Sequence, residues 1–99
     1  MLLHYPPAFE RDMGCSEAQW LQWLPGAVGA CELRLGPGRA EVVLPEGMLH
    51  LVWRPAEPRA VGLVRLPRLL VSFRFEGADA STRLRFMRYF DLYMQRGGG

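Results

Sequence analysis

The stretch DASTRLRFMRYFDLYMQR, residues 79–96, decides the fold. Read at helical period, Phe86, Met87, Tyr89, Phe90, Tyr93 and Met94 fall on one side, and Arg85, Arg88, Asp91, Gln95 and Arg96 on the other. Asp79 suits the N-cap, since its carboxylate can accept the free amide hydrogens of the first turn. Gly97 suits the far end, where a left-handed residue closes a helix. So much aromatic surface needs a sheet to lie on.

Upstream, alternating segments supply that sheet. Cys31, Leu33 and Leu35 alternate with Glu32 and Arg34, and Ala40, Val42 and Leu44 alternate with Glu41 and Val43. Uniting both apolar sets on one face pairs Leu35 with Ala40 across Gly36-Pro37-Gly38-Arg39, and sets Arg34 opposite Glu41. A turn at Glu46-Gly47 then brings Leu49, Leu51 and Trp53 into register with Leu44, Val42 and Ala40. Pro55-Ala56-Glu57-Pro58 reads as a break in the sheet. Residues 60–66 and 69–75 read as a second hairpin about Pro67-Arg68. There Leu69, Val71, Phe73 and Phe75 share a face with Leu66, Val64, Gly62 and Ala60.

Nearer the N-terminus, residues 1–5 read as an edge strand ended by Pro6-Pro7, and residues 8–14 as a loop. Ser16-Glu17-Ala18-Gln19 has the form of a capping box, with Cys15 before it and Trp20 placed for a hydrophobic staple. Trp20, Leu21, Trp23 and Leu24 give this short helix its buried side, and Pro25-Gly26 is read as its stop.

The expectation is one α+β domain over residues 1–99, with residues 97–99 a flexible tail. It has an antiparallel sheet of five to six strands in the order β-α-β-β-β-β-β-α, and both helices pack on one face. This order of elements is similar to the helix-grip and TATA-box-binding-protein architectures, in which a curved sheet embraces a C-terminal helix. The likeness is one of topology and carries no function.

Composition narrows the classes. A chain of 99 residues with 49% hydrophobic and 22% charged residues suits a single soluble core. No apolar run approaches a membrane span, and Met1-Leu2-Leu3-His4-Tyr5-Pro6-Pro7 lacks the form of a secretory signal. The two cysteines, Cys15 and Cys31, make neither a metal spacing nor a disulfide framework, so a reducing cytoplasm is expected. All 12 basic residues are Arg, and Lys, Asn and Ile are absent, a pattern that a GC-rich bacterial genome explains. Residues 1–50 hold three Arg against six acids, net −3, and residues 51–99 nine against four, net +5. That asymmetry suits an anionic partner or association between copies.

No catalytic, metal or cofactor motif stands out. Cys15, beside a helix N-terminus, is the candidate nucleophile, since the dipole there favours thiolate. Cys31 alternates with core positions. His4, Glu10 and Asp12 lack ligand spacing for a metal. In Gly36-Pro37-Gly38 the proline removes an amide hydrogen that a phosphate loop would use. His50, Arg54 and Arg74, with Arg65 and Ser72, are expected on the outer sheet face as candidates for an anion. Tyr89 and Tyr93 are candidate polar points in a pocket beneath the long helix. Stacking aromatics are missing from the outer face, which argues against nucleic acid. Gln95-Arg96-Gly97-Gly98-Gly99 resembles the diglycine tails of ubiquitin-like and sulfur-carrier proteins, although a helix here replaces the β-grasp strand. The outer face also carries Val43, Val52, Val61, Leu63 and Leu70 among its charges, which suits self-association. The leading reading is a noncatalytic protein that binds an anionic or apolar small molecule or another protein. The competing reading is an enzyme or thiol protein using Cys15.

Overall fold

A computed structural model describes residues 4–97. Its elements are β1 (Ala8–Met13), α1 (Glu17–Ala27), β2 (Glu32–Gly36), β3 (Arg39–Val43), β4 (Met48–Val61), β5 (Val64–Glu76) and α2 (Ala80–Gly97). The strands form one antiparallel sheet in the order β1-β5-β4-β3-β2. The chain is α+β, with five strands and two helices. Residues 1–3 and the last two glycines of the proposed carrier tail lie outside the described residues.

Both helices cover one face. Trp20 of α1 meets Trp53 and Phe90 edge-on, at ring separations of 5.6 and 6.0 Å. From α2, Phe90 meets Phe73 at 5.6 Å and Phe86 meets Phe75 at 6.3 Å, again near perpendicular. Such edge-to-face pairs set ring edges against the negative ring faces. The capping box forms as read: Gln19 N donates to Ser16 Oγ at 3.2 Å, and Ser16 N donates to Gln19 Oε1 at 3.0 Å. Asp79 caps α2 by accepting from Thr82 N at 2.8 Å.

The first hairpin has the expected Leu35–Ala40 and Arg34–Glu41 pairs. Its turn places Pro37 before Gly38 at φ +64°, the residues a type II turn asks for. Elsewhere the registers differ. Val42 faces Leu49 and Ala40 faces Leu51, two residues away from the expected alignment. Leu44 leaves the ladder and donates instead to Gly47 O at 3.1 Å. An even slip keeps every side chain on its face, so alternation alone does not detect it.

Pro55-Ala56-Glu57-Pro58 does not break the sheet. β4 runs on to Val61, with a register shift between Ala56 and Arg59. Trp53 N donates toward β3, to Gly38 O. Pro55, two residues on, has its imide on that same side, beyond the end of β3, and forfeits no ladder bond. Pro67 likewise sits on the β1 side of β5, past the last pair, Met13–Leu69. The turn therefore falls at Gly62-Leu63, with Gly62 at φ +59°, and not at Pro67-Arg68. Leu69, Val71, Phe73 and Phe75 do face the helices, but opposite Pro55, Trp53, Leu51 and Leu49.

The edge strand comes after the prolines, at residues 8–13, where a loop was expected. Its alternation is masked because Arg11 stands among Phe9 and Met13 on the helix side. α1 outlasts Pro25 by two residues and ends at Ala27. Leu21 and Tyr89 turn out exposed, at 38% and 53%.

Candidate functional site

Three polar or apolar constellations lie outside the plain core. The first joins the N-terminal segment to α2. Asp91 accepts from Tyr5 Oη at 2.6 Å and from Arg11 Nη1 and Nη2 at 2.5 and 3.1 Å. The Arg11 guanidinium lies 5.4 Å from the ring centre of Phe9 and 5.5 Å from that of Phe73. Burial works to lower the Arg11 pKa, and the Asp91 carboxylate overrides it, so the net shift is upward. Burial, and then the bond to Asp91, raises the Tyr5 pKa. Arg83 adds bonds to Tyr5 O and Ala78 O, each 2.8 Å. Both Asp91 carboxylate oxygens accept bonds from within the chain, which marks a structural latch.

The second is the outer face of the sheet. His50 reaches Glu76 through Nε2 at 2.8 Å and lies 3.5 Å from Glu41 through Nδ1. The imidazole holds the Glu76 carboxyl below its ordinary range. Arg68 bonds Asp12 at 2.7 Å and likewise depresses that carboxyl. Val52, Leu70, Leu66, Val64 and Val61 run along this same face of β4 and β5. Beyond the ends of β1 and β3 the two strands continue alone as a ribbon, and residues 57–67 are exposed throughout. Val61, Val64 and Leu66 are 56%, 55% and 45% exposed, and Leu63 at the turn is wholly exposed.

The third is a groove of about 280 Å³ between the α1–β2 connection and α2. Val28, Cys31, Pro45 and Phe86 give it apolar walls, while Arg85 and Tyr89 stand at its α2 side.

The candidate residues divide among these places. His50, Arg54 and Arg74 share the outer face, and His50 pairs directly with Arg74 across β4 and β5. Arg65 does not join them, because the uninterrupted β5 puts odd-numbered residues on the helix side. Tyr89 borders the groove. Tyr93 packs against Gly26, where a Cβ would fall 2.2 Å from its hydroxyl oxygen. Cys15 is 1% exposed, and burial raises its pKa, the reverse of an activated thiolate. Cys31 is partly exposed at the groove, and burial raises its pKa as well. Among the described residues no group of three His, Cys, Asp or Glu side chains is placed to hold a metal ion, and no helix is long and apolar enough to cross a membrane. No protein-family model matches the chain, and no match to it was found among curated proteins.

Proposed function

We propose that the chain is a noncatalytic interaction protein that works as a homodimer, joined through the outer faces of two β4–β5 ribbons. The observation that carries this reading is the apolar stripe of Leu66, Val64 and Val61, about half exposed on a ribbon that has left its sheet neighbours behind and continued by half-exposed Val52 inside the sheet. The ribbon also makes the molecule long, 45 × 30 × 22 Å, with a radius of gyration of 13.7 Å. A compact chain of this length would have about 12.6 Å.

Two features favour face packing by a second copy. Prolines 55 and 67 remove donors from the ribbon's free edges, which disfavours strand addition there. Charge is also split along the face. The registered positions toward the tip carry Arg54, Arg59 and Arg68 against Asp12, while those toward the base carry Glu10, Glu32, Glu41 and Glu76 against Arg34, Arg39 and Arg74. An antiparallel two-fold lays each basic tip over the partner's more acidic base, the self-complementarity an isologous interface requires. The two free cysteines fit a reducing bacterial cytoplasm as the setting.

Sedimentation equilibrium tests the reading. The expected result is a dimer dissociating near about 1 μM, the affinity of roughly −8 kcal/mol typical of modest interfaces. Leu66→Asp should weaken it by about 100-fold or more, since it buries an unpaired charge. Because Leu66 is already exposed, the variant's thermal unfolding should hardly change when both proteins are compared below about 1 μM, where each is monomeric. A wild-type chain that stays monomeric at 100-fold that concentration sinks the reading.

A further inference from the structure

We infer that the groove between the α1–β2 connection and α2 binds a small amphiphilic carboxylate, its apolar body against Phe86 and its charge on Arg85. The site is lined by Val28, Cys31, Pro45 and Phe86, and its volume is about 280 Å³. That is about nine waters at roughly 30 Å³ each, room for an acid of eight to ten or so non-hydrogen atoms. The size lies just below the usual range for small-molecule pockets, about 300–1,000 Å³, so the ligand is small.

The charge of the ligand follows from what the site lacks and what it has. Arg85 is the only charged residue in the lining, and among the described residues it has no carboxylate within ion-pair distance. One of its terminal nitrogens, Nη1, donates to Ser81 Oγ at 2.7 Å, so the guanidinium is steadied while its other donors stay free. A planar fork of donors suits a carboxylate. The carbonyls at the end of α1 would otherwise draw a cation, but they are occupied. Leu24 O, Gly26 O and Val28 O accept from Val28, Gly29 and Cys31 at 3.1, 3.1 and 3.2 Å. The groove's form is fixed by Gly29, left-handed at φ +64°, where a Cβ would come within 3.2 Å of the Tyr89 ring. Tyr89 therefore closes over bare backbone, and its otherwise unexplained exposure gives the ligand an aromatic wall.

The test is amide NMR titration of the full chain with octanoate, and with octanol as its uncharged counterpart. Octanoate should saturate near about 1 mM, as its few atoms allow, and shift the amides of Gly29, Ala30, Cys31, Arg85 and Tyr89. Octanol should bind at least about tenfold more weakly, the loss expected for one charge-assisted contact. Arg85→Gln should bring octanoate down to the level of octanol, and Arg85→Lys should restore part of the difference. Ala30→Trp, at an exposed lining position, should block both probes. Equal binding of the two probes, or undiminished octanoate binding by Arg85→Gln, overturns the inference. So does a shift of Leu63 together with the groove amides in the absence of probe on raising protein concentration, which would place the ribbon tip of a second copy there.

Discussion

Replacing Asp91 by Ala tests how the N-terminal strand is held. The carboxylate accepts three bonds, from Tyr5 Oη and from both terminal nitrogens of Arg11. Tyr5 is 4% exposed, so its hydroxyl gains little water when the acceptor goes, a loss of about 1–2 kcal/mol. Breaking a fully buried ion pair by removing one partner costs about 3–5 kcal/mol. Here the Arg11 and Asp91 side chains keep 26% and 25% of their exposure, and water screens the orphaned guanidinium, so its share is nearer 1–2 kcal/mol. The sum is about 3 kcal/mol, or a fall in Tm of roughly 12–24 °C for a chain this size. Urea titration with tryptophan fluorescence measures it, and an unchanged m-value would show that both end states keep their compactness. The double variant Arg11→Met, Asp91→Leu should recover about half of the loss, the share of the orphaned guanidinium, because the Tyr5 hydroxyl still lacks its acceptor. A loss below about 1 kcal/mol for Asp91→Ala would refute the latch.

Two further outcomes follow from single groups. Asp12, Asp79 and Glu76 all have depressed pKa values, through Arg68, the Thr82 amide and His50 respectively. A depressed folded-state value means stabilisation that is whole above the ordinary carboxylate range and lost as pH falls through it, so stability should drop between about pH 5 and pH 3, which acid titration by circular dichroism reads. Proton uptake on unfolding that is absent across that window would contradict the assignment. Gly47 and Gly62 both have positive φ, but a Cβ on Gly47 would lie 2.4 Å from Glu76 O, whereas nothing lies within 4 Å of one on Gly62. Gly47→Ala should therefore cost about 3 kcal/mol or more and Gly62→Ala only about 1–2 kcal/mol, compared by urea midpoints; similar losses would misplace one of the two turns.

How much of this was legible depends on whether a feature is local. The capping box, the Asp79 cap and the Pro37-Gly38 turn rest on residues within four of one another, and all three form as the sequence reads. Strand β1 was not legible, because Arg11 occupies an inward position that the alternation rule reserves for apolar residues. Its reason for facing inward is Asp91, which is 80 residues away. Prolines 55, 58 and 67 misled for a related reason. A proline forbids a strand only where a neighbour needs its amide, and whether β3 or β1 extends that far is set by the whole sheet.

The same distinction separates the candidate sites. Outer-face positions follow from strand parity, so His50, Arg54 and Arg74 were assigned to one surface from the sequence. The residues on either side of the groove belong to segments that meet only when α1 and α2 pack together. Arg85 was assigned to the solvent side of its helix, but Tyr89 leans back one turn over Gly29, and the opening beneath it places Arg85 at the rim of a cavity. A helical wheel sorts side chains by angle alone. It has no term for the α1–β2 connection, which leaves a groove against Arg85, Phe86 and Tyr89 of α2 where it could have packed flush. That shortfall leaves a guanidinium beside apolar walls, and it puts the groove on the side of the sheet opposite the face proposed for the dimer. The two surfaces can therefore be occupied at once, and a carboxylate that binds at the groove should leave the sedimentation of the dimer unchanged.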